Sequence, residues 1–337
     1  MNGKSRQKAT RTMSAAVYRR FGGPGQVSIE ILKKPSPGRN DVLVNVRAST
    51  VSAADRRARS RDVPKGLQFL AAVGVGVLKP RRPILGMDVA GVVESVGAEV
   101  TLFAPGDEVI AMLGGKFGGH AEFVSVPQTA AITLKPRNLD FEEAVALVFG
   151  GMTAKGFLNR VQIAPGDRVL VNGASGAVGT AAVQLAKAAG AHVTGVCSAP
   201  NRGLVASLGA DRVIDYGLCD FTWEALAYDV IVDCVGNASF DRVEASLVPG
   251  GALLLVISDL MGIVRASGQS RQTGKLITAN VGAYRAEDLS YLVDLAESGQ
   301  FRPVIDRTYL LADIVEAHRF VDTGRKRGNV VLRVGTR

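Results

Sequence analysis

Apolar positions change their period along this chain, and each change marks a different kind of structure. From residue 13 to 48 apolar and polar residues alternate in blocks, AVYRRF, VSIEIL and DVLVNVRA, broken by Gly22-Gly23-Pro24-Gly25 and Pro35-Ser36-Pro37-Gly38. A period of two between Gly/Pro clusters predicts antiparallel strands joined by turns. Alternation lapses over 49–62, resumes in KPRRPILGMDVAGVVESVGAEV from Lys79, and turns at Phe103-Ala104-Pro105-Gly106-Asp107 into EVIAML. The first third therefore reads as a barrel-like β domain. Residues 67–78 (LQFLAAVGVGVL), followed by Lys79, Arg81 and Arg82, form a compact apolar segment too short to cross a bilayer. It reads as a wall over a substrate cleft or as a weak peripheral membrane contact.

Beyond residue 139 strands and helices alternate. Asp140 is placed to cap a helix ahead of Glu142 and Glu143, running to Phe149. A β-branched run at Arg168–Asn172 precedes a stretch with helical spacing over 180–189, and a second β-branched run follows at 192–196. YDVIVDCVG and GGALLLVIS read as further buried strands around a helix at 240–247. From Gly282 come a helix over 286–298, a strand pair, a helix over 311–322, and a last strand in GRKRGNVVLRV that rejoins the first domain. This order predicts an α/β protein: a β-rich domain from 14–138 and 284–337, and a doubly wound parallel-sheet domain over 139–283.

Between the first strand and helix of the second domain lies Gly173-Ala174-Ser175-Gly176-Ala177-Val178-Gly179. Gly176 admits a close pyrophosphate, Gly179 lets the helix sit on the strand, and the helix N-terminus offers N–H groups to phosphate. Ala174 stands where the strict fingerprint has its first glycine. The next strand ends in Cys197-Ser198-Ala199-Pro200-Asn201-Arg202, without the carboxylate that would bind a ribose 2′-hydroxyl and repel a 2′-phosphate. Ser198 and Asn201 can donate to that phosphate and Tyr216 can add a hydroxyl; Arg202 supplies charge unless it is a solvated helix-face residue. The expected cofactor is NADPH. Val235, Gly236, Ile257 and Ser258 lie at carboxyl ends of strands, where such sheets bind ligands.

Composition narrows the setting. With 337 residues and nearly half of them apolar, the chain can form two cores. The net charge of +9 raises nucleic acid as a partner, but Lys4, Arg6, Lys8 and Arg11 in a basic tail over 1–13 supply four of those charges, and no nucleic-acid motif is present. Three cysteines, Cys197, Cys219 and Cys234, are too few for a disulfide framework, and the tail lacks an apolar secretory core, so a cytoplasmic location is expected.

The stretches ASTVSAAD (48–55), RPILGMDVAGVV (82–93), Gly106-Asp107-Glu108-Val109, Gly118-Gly119-His120-Ala121-Glu122, the 174–179 loop and Arg327-Gly328-Asn329-Val330-Val331 together resemble the medium-chain dehydrogenase/reductase superfamily. The likeness is to its zinc-independent, quinone oxidoreductase-like (zeta-crystallin-like) branch. The resemblance implies a GroES-like catalytic domain, a Rossmann cofactor domain and a homodimer. At the positions that bind catalytic zinc in zinc-dependent relatives it places Ser52, Met87 and Phe149, none a credible ligand, so no metal is expected. It implies NADPH-linked reduction of a small conjugated carbonyl or quinone, with enoyl-thioester reduction or non-catalytic NADPH binding as the alternatives. Thr153 matches a residue beside the nicotinamide, which could equally be a helix N-cap. Gly328 and Asn329 match a segment closing over the cofactor, where the family more often has lysine at the second position. Ser52 and Thr50 could orient the carbonyl or be structural. Asp55 and Asp88 suggest hydrogen bonds that support the fold rather than an acid/base pair.

Overall fold

Helix Phe141–Leu158 fastens the two halves of the molecule together. It is apolar on every side, and nearly all of it from Ala144 to Leu158 is buried, as such a helix must be. Asp140 caps it: its carboxylate accepts from Glu143 N at 2.8 Å while the Glu143 side chain accepts from Asp140 N at 3.1 Å. The end expected at Phe149 is overrun because Gly150 and Gly151 are contact points. A Cβ on Gly150 would lie 2.4 Å from the Ala177 carbonyl oxygen, and one on Gly151 2.7 Å from Leu292 Cδ1. The computed structural model describes residues 12–62 and 76–335.

On one side of this helix lies a six-stranded, wholly parallel sheet. Its order is Arg212–Asp215, His192–Cys197, Arg168–Asn172, Tyr228–Asp233, Leu247–Leu255 and Leu276–Thr278. Counted along the chain this is the doubly wound order, with the switch point between Arg168–Asn172 and Tyr228–Asp233. Sequence pattern placed no element between Ser258 and Gly282. The structure has helix Leu260–Thr273, capped by Asp259 Oδ1 on Gly262 N at 2.7 Å, and the sixth strand.

On the other side is a seven-stranded sheet centred on Asp41–Thr50. That strand pairs antiparallel with Asp88–Val96, Phe123–Pro127 and the closing strand Asn329–Arg333, where Val331 stands opposite Thr50. The chain's last strand thus returns to the first domain, as its pattern predicts. Thr12–Tyr18 and Val27–Lys33 form a separate antiparallel pair. Val42, Val44, Val46, Val89, Val109 and Leu332 lie in the core of the GroES-like half. The apolar segment at 67–78 falls almost wholly outside the described residues. Among the described residues no helix is long and apolar enough to cross a membrane.

Candidate functional site

A cavity of about 390 Å³ opens where the two halves meet. The glycine loop forms one wall; the start of helix Ala53–Ser60 and Met87 form the facing one. Gly173, which the fingerprint reading passed over, makes the sharp turn at φ +78°, and both its N–H and that of Ala174 donate to Val196 O, at 3.1 and 2.9 Å. Ala174 is fully buried behind this turn. On Gly179 a Cβ would sit 2.1 Å from the Gly173 carbonyl oxygen, so helix Ala177–Ala188 can approach its strand only with glycine there. A Cβ on Gly176 would meet nothing closer than 3.6 Å, and no side chain caps this helix. The loop and the uncapped N–H groups of residues 177–179, Val178 among them, thus face the cavity as a cradle that fits a diphosphate.

Opposite the loop, across the switch point, the buried Asp233 carboxylate holds residues 234–238. It accepts from Val235 N at 3.0 Å, Gly236 N at 3.1 Å, Ala238 N at 2.9 Å and Asn172 Nδ2 at 2.8 Å. Gly236 takes φ +89°, and a Cβ there would press on Ile257 Cγ2 at 2.9 Å. Ile257 lines the cavity, whereas Ser258 lines a neighbouring one of about 340 Å³. Ile257 lines that neighbouring cavity too, so the two adjoin, and the Ser258 hydroxyl donates to Asp259 O at 3.3 Å.

Beyond the second strand the structure gathers Ser175, Ser198 and Asn201. Asn201 Nδ2 donates to Ser175 Oγ at 3.1 Å and to Ser198 Oγ at 3.2 Å. Arg202 is exposed at the start of the short helix Arg202–Ser207, and Tyr216 is two-thirds exposed on the same side, its N–H on Cys197 O at 3.2 Å.

Three expected roles are corrected. Thr50 Oγ1 donates to Asp88 Oδ2 at 2.7 Å, and Ser52 Oγ to Asp55 Oδ2 at 2.5 Å. Both residues are buried and neither lines the cavity, so their hydroxyls serve carboxylates and not a carbonyl. Asn329 is also buried, with Nδ2 donating to Ala146 O at 3.0 Å and Val304 O at 3.1 Å, which ties the closing strand to the hub helix. Thr153 lines the cavity, but from mid-helix rather than as an N-cap, its Oγ1 donating to Phe149 O at 2.7 Å.

Three cavity residues carry no mark in the sequence. Tyr284 lines the cavity near Thr153, and burial raises its phenol pKa above the usual value, so it stays protonated. Lys326 is half-buried, with Nζ donating to Gly328 O at 2.6 Å, and the loss of solvent around its ammonium pushes it down to about 8 against the pull of Asp306. Gly328 N in turn donates to Ser175 O at 2.8 Å, which sets Lys326 beside the glycine loop. The third is Arg57, half-buried in the facing wall. Met87 and Phe149 line the cavity as apolar groups, and no three His, Cys, Asp or Glu side chains converge on a metal position among the described residues.

A β-rich domain and a doubly wound sheet enclosing a glycine-loop cleft define a two-domain dehydrogenase/reductase architecture. The family model for the alcohol dehydrogenase GroES-like domain matches residues 38–136, and that for a zinc-binding dehydrogenase matches residues 208–332. The chain is 31% identical to the chloroplastic quinone oxidoreductase QR1 of Triphysaria versicolor, over 96% of this chain and 99% of that protein. It is 30% identical to the chloroplastic NADPH-dependent alkenal/one oxidoreductase of Arabidopsis thaliana, over 95% and 79%. The solved quinone oxidoreductase of Coxiella burnetii superposes with a TM-score of 0.85 at 26% identity, over 96% of this chain and 100% of that one. The chain belongs to the medium-chain dehydrogenase/reductase superfamily, in its quinone oxidoreductase-like branch.

Proposed function

We propose that this protein reduces quinones or α,β-unsaturated carbonyls with NADPH and without a metal. The observation that carries the reading is the cavity: a diphosphate cradle on one wall, Met87 and Phe149 where metal ligands would stand, and a protonated phenol at Tyr284. The names of the relatives support the acceptor class, and the Ser175, Ser198 and Asn201 cluster supports a 2′-phosphate. When bound, the reduced nicotinamide supplies a hydride to the β-carbon of an enone, or to a quinone, and leaves as NADP⁺. The electron pair displaced onto the acceptor oxygen forms an enolate, which needs a donor rather than a Lewis acid. Tyr284 donates to that oxygen, and a solvent proton restores the α-carbon. The reading includes a cytoplasmic location and a homodimer through Leu276–Thr278, one of the two edge strands of the parallel sheet.

The test is NADPH oxidation with 9,10-phenanthrenequinone, a 2-alkenal, an enone, crotonyl thioester and a simple aldehyde, with NADH and a chelator as controls. Chelator-insensitive turnover of a conjugated acceptor, but not of the aldehyde, is expected. Tyr284→Phe should lower kcat about 10-fold to 100-fold with little change in NADPH affinity. Cofactor binding with no acceptor reduced would replace the enzyme reading with a nucleotide-binding one.

A further inference from the structure

Among the described residues every charged side chain that lines the cavity is cationic: Arg56, Arg57 and Lys326. No carboxylate shares the wall with them, and the three are not equivalent. Arg56 is already committed, with Nη2 on Asp62 Oδ2 at 3.0 Å and Nε 3.8 Å from Asp322. Lys326, through Gly328, belongs to the glycine loop and so to the diphosphate. Arg57 has neither commitment: among the described residues it makes no hydrogen bond and no ion pair, and it is half-buried. Burial lowers its pKa and Arg56 adds to that, against the attraction of Asp62. A half-buried guanidinium whose attraction to Asp62 is made without a hydrogen bond gains from an anion that a ligand brings.

We propose that Arg57 is an anion subsite for the acceptor, so that the preferred substrate is a conjugated carbonyl carrying a carboxylate or phosphate a short distance from its double bond. The inference rests on the reading above that this cavity receives the acceptor. The fork of a guanidinium matches two oxygens of either anion, and the apolar side chains of Met87 and Phe149 take the neutral part of the molecule. A thioester on a phosphate-bearing pantetheine arm and a free keto acid are two sources of the same anionic chemistry.

The experiment compares matched acceptors: 4-oxopent-2-enoate against its methyl ester, and crotonyl phosphopantetheine against crotonyl pantetheine. In the wild-type protein at least one anionic member should exceed its neutral partner about tenfold in kcat/KM, and which pair responds identifies the anion. Arg57→Met should bring that ratio close to one through KM, and Arg57→Lys should restore part of it. A readout that needs no turnover accompanies this: calorimetric binding of 4-oxopentanoate and its methyl ester, and of butyryl phosphopantetheine and butyryl pantetheine, to the NADP⁺ complex. The same preference and its loss in Arg57→Met are expected there, even if no acceptor is reduced, in which case the reductase reading falls and the anion subsite stands. Equal binding within both pairs in the wild type would overturn the subsite. So would an Arg57→Met variant whose NADPH affinity falls as far as its anion affinity, since Arg57 would then serve the cofactor.

Discussion

Asp55 and Arg57 stand two residues apart on one helix and meet opposite surroundings. Asp55 is wholly enclosed, and its oxygens accept from Ser52 N at 2.8 Å, Ser52 Oγ at 2.5 Å and Gly86 N at 2.8 Å. Asp88, a strand away, is enclosed in the same manner by Thr50 N and Oγ1 and by Ser49 Oγ. In that layer each charge-bearing oxygen has its donor within the fold. Among the described residues Arg57 faces the cavity with no hydrogen bond or ion pair, and Lys326 beside the glycine loop has one carbonyl and no carboxylate in hydrogen-bonding contact. A polar network that is closed on itself specifies structure, whereas one left open is completed by a ligand. The two sides differ in burial and in their partner inventory alike.

The largest effect is expected from opening the closed network around Asp55. Asp55→Ala leaves the N–H groups of Ser52 and Gly86 buried without acceptors, each costing about 1–3 kcal/mol. A loss of about 3 kcal/mol in urea-induced unfolding is expected, with the slope of the transition unchanged. An unfolding midpoint within error of wild type would mean that this carboxylate is not the keystone its contacts imply.

Lys326 tests the open side, and its two pH dependences run in opposite directions. Its ammonium titrates at about 8 in the folded protein and at 10.5 as a free side chain. Because the unfolded chain binds the extra proton between those values, its contribution to stability is fully present above pH 10.5 and is lost as pH falls through about 8. Lys326→Met should therefore raise the melting temperature of the cofactor-free protein at pH 7. A bound diphosphate reverses the preference by holding the proton on. NADPH affinity should weaken by up to about tenfold per pH unit above pH 8 in the wild type, while Lys326→Met binds NADPH about 10-fold more weakly at pH 7 with a flatter profile. The pair of signs, a gain in stability with a loss of affinity, is what a charge buried for a ligand produces.

The scaffold was legible in the chain to the extent that its signals are local. Strand runs at Arg168–Asn172 and Tyr228–Asp233, the glycine loop between strand and helix, and the returning strand at Asn329–Arg333 each announce themselves within a few residues. Helix Leu260–Thr273 escaped because only Ala266 on it is buried, so it shows no apolar stripe, and its one clear signal is the Asp259 cap. The roles expected of Thr50 and Asn329 failed for another reason. Their hydroxyl and amide are claimed by Asp88, 38 positions away, and by Ala146, 183 positions away, partners that no motif reports. Arg57, Tyr284 and Lys326 converge on one cavity from three separated segments, so spacing along the chain could not reveal them.

Arg202 offers the smallest effect and the finest test of the boundary between closed and open polar groups. It is exposed, while Asn201, its neighbour, is already bound to Ser175 and Ser198. A solvated guanidinium contributes little to a phosphate contact compared with a desolvated one, typically within about 1 kcal/mol. Arg202→Ala should thus weaken NADPH binding by no more than about 5-fold, leave NADH binding unchanged, and lose its effect in high salt. Asn201→Ala should cost more, because it releases two hydroxyls from the arrangement that faces the same phosphate. Calorimetric titration of both variants with both dinucleotides orders the two contributions. If Arg202→Ala costs NADH and NADPH equally, the charge is not read at the 2′-position, and selectivity for that phosphate rests on the Ser175, Ser198 and Asn201 cluster alone.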